Sequence, residues 1–123
     1  MKYYVDIILQ GKKFNPEEVS NTLGINFRKF HKPGDYNKRL NCKEIEGYGI
    51  LSSNEDLTTE DVIEKTISEY EKIYELGEEK VGIEEKMFHL YVECLQNSFS
   101  LKTKYMGKIC NYFSEIEITI LDE

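Results

Sequence analysis

His89, Tyr91 and Glu93 occupy alternate positions in a segment that reads as a strand, so all three point to one side. A histidine titrates near neutrality and a carboxylate beside it can orient its ring, which makes the trio a candidate acid–base group. Tyr48 lies in another predicted strand, and with the trio it defines a candidate ligand cleft at Tyr48, His89, Tyr91 and Glu93. The competing reading is simpler: alternation alone places polar residues on one side of a half-buried sheet. Cys94 and Cys110 are candidate nucleophiles beside His89. A reactive thiol needs an electropositive, partly exposed setting, and both cysteines fall on predicted apolar faces of an acidic chain. Buried thiols of this kind usually act as small hydrophobes.

Other signatures are missing from the sequence. It has no phosphate-binding Gly-x-x-x-x-Gly-Lys-Ser/Thr loop, no Gly-x-Gly-x-x-Gly turn, no His-Glu-x-x-His and no Gly-x-Ser-x-Gly elbow. Gly47-Tyr48-Gly49 is a fragment that leads into a strand, where a dinucleotide turn would lead into a helix. Two histidines, His31 and His89, cannot build a His-rich metal site. The expectation is a non-enzymatic protein with no cofactor and no metal.

Charge carries more information. The 123 residues hold 23 acids and 16 bases, a net charge of −7. Residues 1–39 hold eight bases against four acids, and the remainder eight against nineteen. Arg28, Lys29, Lys32, Lys38 and Arg39 gather around a Pro33-Gly34 turn. They read as a solvated loop or as an anion patch, and the acidic field around them disfavours general nucleic-acid binding. Residues 55–79 hold ten acids and two lysines. Glu60, Glu64, Glu71, Glu75 and Glu78 project away from the apolar stripe of a predicted helix over Thr58–Leu76. They serve either as a solubilising face or as a docking surface for a basic protein partner, where complementary charge speeds encounter. A toxin domain with a polyanionic substrate would be such a partner.

These residues need elements to hold them. Tyr3–Gln10 reads as a strand buried on both faces or nearly so. Asn15-Pro16-Glu17-Glu18 opens a short helix, with Asn15 as cap, Pro16 in the first turn and Gly24 as the left-handed stop. Ile25–Phe30 is a second strand, followed by a turn at Pro33-Gly34 and a loop to Asn41. Lys43–Ser53 is a third strand, in which Gly47 and Gly49 signal a bulge or a close backbone approach. Thr58 caps the long helix, whose stripe is Ile63, Ile67, Tyr70 and Tyr74, flanked by Val62 and Ile73. Met87–Gln96 alternates, with Phe88, Leu90, Val92 and Cys94 on one face. Met106, Ile109, Cys110 and Phe113 mark a third helix. The closing strand, Glu115–Leu121, turns Ile116, Ile118 and Ile120 inward.

The order β-α-β-β-α-β-α-β predicts an α+β fold, one domain over 1–123. It has a single mixed, mostly antiparallel sheet of about five strands and three helices mainly on one face, and its first six elements follow a ferredoxin-like plan. A membrane helix needs about 20 apolar residues, and no such run occurs. Three cysteines without a Cys-x-x-Cys spacing suit a reducing cytoplasm, as does an N-terminus without an apolar signal core. Monomer and homodimer both stay open.

Taken in order, several segments resemble the bacterial family described as domain of unknown function 4279. They are Tyr4-Val5-Asp6-Ile7-Ile8-Leu9-Gln10-Gly11, Asn15-Pro16-Glu17-Glu18-Val19, Leu23-Gly24-Ile25, Gly34-Asp35, Tyr48-Gly49-Ile50-Leu51 and Ser100-Leu101. The chain departs from that pattern at Asn26-Phe27, where a proline is usual, and at Tyr48, where a tryptophan is. The resemblance implies a small bacterial cytosolic protein and brings no catalytic residue with it. Small domains of this kind often act as immunity proteins beside toxins. The expected function is therefore a non-catalytic protein-binding module, an immunity protein using its acidic helix. A small enzyme or ligand-binding domain and an oligomerisation module are the alternatives.

Overall fold

Hydrophobic alternation sets the frame of the sheet. In the computed structural model, which describes residues 1–53, 57–95 and 98–122, strand β1 (Lys2–Gly11) buries Tyr3, Val5, Ile7 and Leu9 on one side only. Tyr4, Asp6, Ile8 and Gln10 are half-buried on the other. The strand is thus covered on one face, not both as its apolar run suggests. Helix α1 (Pro16–Leu23) starts where Asn15 accepts a hydrogen bond from the Glu18 amide, and it ends at Gly24 with φ 67°.

Strand β2 is only Lys29–His31, later and shorter than the expected Ile25–Phe30. Ile25 still enters the core as a buried loop residue. The expected loop to Asn41 contains a small hairpin, β3 (Tyr36–Asn37) and β4 (Cys42–Lys43). Strand β5 (Gly47–Ser52) follows, then helix α2 (Val62–Leu76). Thr58 is not its cap, because its carbonyl accepts the Tyr3 amide and the chain enters α2 through a tight turn at 59–62. Strand β6 (Glu85–Glu93), helix α3 (Thr103–Tyr112) and strand β7 (Ile116–Leu121) complete the order. Glu55 of the acidic stretch and Gln96 at the expected end of β6 lie outside the described residues.

The fold is α+β, with a five-stranded mixed sheet in the order β2-β5-β1-β6-β7 and the two-stranded β3-β4 sheet. β1 pairs antiparallel with β5 and β6, β2 antiparallel with β5, and β7 parallel with β6. The first four main strands thereby take the split βαβ arrangement, and α3 carries the chain to the added parallel strand.

One core holds the three helices to one face of the sheet. Val19 of α1, Val62, Ile63, Ile67, Tyr70 and Ile73 of α2, and Tyr105 and Ile109 of α3 pack with the inward residues of β1 and β6. The α2 stripe differs from expectation at its end. Tyr74 is exposed, and Thr66 is buried, its hydroxyl donating to the Val62 carbonyl at 2.7 Å. On α3, Cys110 is exposed and Tyr105 is buried in the core. Ile118 and Ile120 of β7 face the helix side but stay 45% and 49% exposed, because β7 is an edge strand.

Candidate functional site

Among the described residues no helix lies on the second face of the sheet, and its side chains are fixed by strand register. Successive rows run His31–Tyr48–Gln10–Glu85, Lys29–Ile50–Ile8–Met87 and Ser52–Asp6–His89–Glu117, then Tyr4–Tyr91–Thr119. Alternation puts His89, Tyr91 and Glu93 on this open face and Phe88, Leu90, Val92 and Cys94 on the core face, as the sequence reading expects.

The three side chains are not joined into one hydrogen-bonded group. His89 stacks on Tyr91, ring centroids 4.0 Å apart and planes 13° from parallel. Its Nε2 is 2.8 Å from the Thr119 hydroxyl, and its Nδ1 is 4.0 Å from a carboxylate oxygen of Glu117. Glu93 instead accepts a hydrogen bond from the Tyr4 hydroxyl at 3.2 Å. The carboxylate nearest His89 therefore comes from β7 and depends on a parallel register that spacing within β6 does not reveal. Burial, with the nearby Asp6 carboxylate adding to it, raises the Tyr91 hydroxyl above its usual range. Cys94 lies on the face opposite His89, and Cys110 is on α3 in the helical layer, so neither forms a thiol–imidazole pair with it.

Tyr48 belongs to a different constellation. It lines an open concavity of about 480 Å³ together with Gln10, Lys29 and His31 from the sheet and Asn37, Arg39 and Glu44 from the hairpin region. The His31 ring stacks on Tyr48 at 5.3 Å and 14°. Glu44 is held by the Asn37 amide at 2.7 Å and lies 3.7 Å from His31 Nε2. His31 Nδ1 is buried and has no hydrogen-bond partner among the described residues. An unsatisfied buried polar atom costs about 1–3 kcal/mol and marks a place where the fold has not optimised its own stability.

The basic patch divides. Arg28 is consumed within the sheet, donating to Ser52 at 2.7 Å and Asp6 at 3.2 Å, while Ser52 in turn donates to Asp6 at 2.5 Å. Lys32 pairs with Glu17 at 2.9 Å, which raises its ammonium above the ordinary range. Lys29, Lys38 and Arg39 have no ion-pair partner among the described residues. Two of these three, Lys29 and Arg39, line the concavity. His31, Asn37, Glu44 and Gln10 escaped sequence reasoning. His31 alone carried a signal, as a histidine beside a turn.

The acidic helix is less free than its sequence suggests. Glu64 pairs with Lys108 of α3 at 2.8 Å, and that hydrogen bond holds its carboxyl below the usual range. Glu71 accepts the Tyr112 hydroxyl at 2.7 Å. Glu78 accepts the Tyr70 hydroxyl and pairs with Lys86 at 3.0 Å. Glu60 accepts the Lys102 amide at 3.3 Å. Glu75 is exposed, with no polar partner among the described residues.

A second concavity, about 330 Å³, opens between α1 and the end of α2. Its wall includes Asn15, whose oxygen is already committed to the α1 cap, and the aliphatic Val19, Leu76 and Val81. Among the described residues no group of three or more His, Cys, Asp or Glu side chains is arranged to hold a metal ion, and no helix is long and apolar enough to cross a membrane. Comparison with family models, curated proteins and solved structures gave no match.

Proposed function

We propose that this protein is a non-catalytic binding protein that takes a small anionic ligand, bearing a phosphate or carboxylate, in the concavity at Tyr48. One observation carries the reading. Lys29 and Arg39 both line it with no ion-pair partner among the described residues, beside the stacked His31–Tyr48 pair, while the one carboxylate of the wall, Glu44, is held by Asn37. An unpaired guanidinium offers bidentate geometry to a carboxylate or phosphate. The flat aromatic stack supplies apolar contact, and the volume suits a small molecule. The other candidate centre, at His89, lacks its expected partners, since Glu93 is engaged by Tyr4 and the cysteines lie away from His89. Titration of the protein with inorganic phosphate and pyrophosphate, followed by backbone amide NMR, tests it. Saturable shifts centred on residues 29–48, lost in a Lys29→Glu/Arg39→Glu variant, are expected. Absent shifts, or shifts unchanged in that variant, would overturn it.

A second reading keeps the acidic helix as a docking surface for a basic protein, as an immunity protein would use against a toxin. Glu75 favours it, as an exposed carboxylate with no polar partner among the described residues. The engagement of Glu64, Glu71 and Glu78 within the fold weighs against it, since docking there would compete with Lys108, Tyr112 and Lys86. Reversing charge at Glu64, Glu71 and Glu75 together would weaken such a complex, and unchanged capture of a basic partner would dismiss this surface.

A further inference from the structure

The sheet ends in two edges, and they are unequal. β2 offers three residues, Lys29–His31, whereas β7 offers six, Ile116–Leu121, hydrogen-bonded to β6 on one side only. Natural sheets guard such an edge with charged side chains, lysine above all, or with proline, a bulge or a covering element, and the one charge within β7 is Glu117 on the open face. β7 contains no lysine and no proline, and its register with β6 runs unbroken from Ile116 to Leu121. Its helix-side residues Ile118 and Ile120 lie beside Leu90 and Val92, which are fully buried, yet they remain about half exposed themselves. The helix side of this flank is therefore apolar, Glu117 and Thr119 lie on its other side, and among the described residues no strand pairs with its outer backbone groups.

We propose that β7 pairs antiparallel with β7 of a second copy of this chain, about a two-fold axis at Ile118, to join two sheets into one. The strand's own sequence selects this occupant and this register. Keeping helix-side residues opposite helix-side residues requires paired residue numbers of equal parity. Centred on Ile118, the pairing sets Ile118 against Ile118 of the partner subunit, Ile116 against Ile120 of the partner subunit, and Glu117 against Thr119 of the partner subunit. No acid faces an acid, although each chain carries −7. Centring on Glu117 would oppose two glutamates, which is destabilising, and centring on Thr119 would set Ile116 against Asp122 of the partner subunit. A closed two-fold dimer is also the commonest assembly of identical chains. The seam is at the sheet edge opposite β2, so it leaves the Tyr48 concavity open, and its test is independent of that reading.

Sedimentation velocity over a concentration series, with circular dichroism to confirm folding, tests the seam. A reversible dimer is expected, and Ile118→Lys weakens it by about tenfold or more by placing two like charges at the axis. Cysteine crosslinking reads the register directly. In a background with the exposed Cys42 and Cys110 changed to serine, Ile118→Cys forms an intermolecular disulfide on mild oxidation and Ile116→Cys does not. Directly opposed residues come within disulfide range, whereas residue 116 faces 120. A monomer at every concentration, a dimer indifferent to folded Ile118→Lys, or equal crosslinking at 116 and 118 would each overturn the proposal. If Ile118→Lys unfolds, the crosslinking comparison decides.

Discussion

Lys108 Nζ lies 2.8 Å from Glu64 Oε1, joining α3 to α2 across 44 residues of sequence. The contact turns a carboxylate on a seemingly free acidic face into a fastening between two helices. Both side chains are about two-fifths exposed, so the pair is open to screening by salt. The bond to Lys108 holds the Glu64 carboxyl below its ordinary 4.5. Its contribution is therefore present above that value and is lost as pH falls through the lowered one. A double-mutant cycle with Glu64→Gln and Lys108→Met is expected to give a small favourable coupling at low ionic strength. The coupling should fade in high salt and in acid. A coupling indifferent to both would mean the pair contributes nothing electrostatic.

Glycines in β5 make a sharper prediction. A Cβ on Gly47 would sit 1.7 Å from the Phe14 carbonyl oxygen and 2.6 Å from its carbon. A Cβ on Gly49 would meet the Phe27 ring edge at 2.9 Å. Backbone cannot yield without moving the β1–α1 connection, whereas a partly buried ring can rotate. Gly47→Ala is expected to cost about 3 kcal/mol or more, and Gly49→Ala about 1 kcal/mol. Urea unfolding midpoints measure both, and equal losses would contradict the distinction.

What could be read in the sequence follows from range. The alternation of β6 and the Asn15–Gly24 punctuation of α1 are encoded by neighbours along the chain, and they gave those elements and the open-face placement of His89 and Tyr91. The stack of His31 on Tyr48 depends on the register of β2 against β5, which residues near either position do not encode. The hairpin that brings Asn37, Arg39 and Glu44 to it is built from two-residue strands, too short to show a period. The acids of α2 looked free because Lys108 and Tyr112, which engage Glu64 and Glu71, lie 44 and 41 residues away in sequence. β7 carries the alternation of a buried strand, but its place at the sheet edge is a property of the whole topology.

Leu90 and Ile118 make that last point measurable, since they are register partners on the same face of the sheet. Leu90 is fully buried and Ile118 is 45% exposed. Leu90→Ala removes packed methyl groups and leaves a cavity, so a loss of about 2–5 kcal/mol is expected. Ile118→Ala in dilute protein is expected to cost about 1 kcal/mol or less, because solvent already reaches the site. Comparable losses at the two positions would show that β7 is covered in solution even at low concentration.

Tyr105 ties the start of α3 to the turn before α2, its hydroxyl donating to an Asp61 carboxylate oxygen while its ring is buried in the core. That hydrogen bond, with burial adding to it, pushes the hydroxyl up to about 12 from an ordinary 10.0. In the unfolded chain the phenol ionises near 10.0, and in the folded protein it stays protonated until about 12. Between those values the folded state binds the extra proton, so stability falls as pH rises. The contribution of the bond is complete below pH 10.0 and is lost as pH rises through about 12. Tyr105→Phe keeps the ring and deletes the proton. The variant is expected to be less stable than the parent at neutral pH, to show a shallower decline above pH 10.0, and to approach the parent near 12. Urea midpoints taken stepwise through this range provide the comparison. Parallel curves for the two proteins would mean that other tyrosines, Tyr70 and Tyr112 among them, govern the alkaline limb, since both also donate to carboxylates and are also raised.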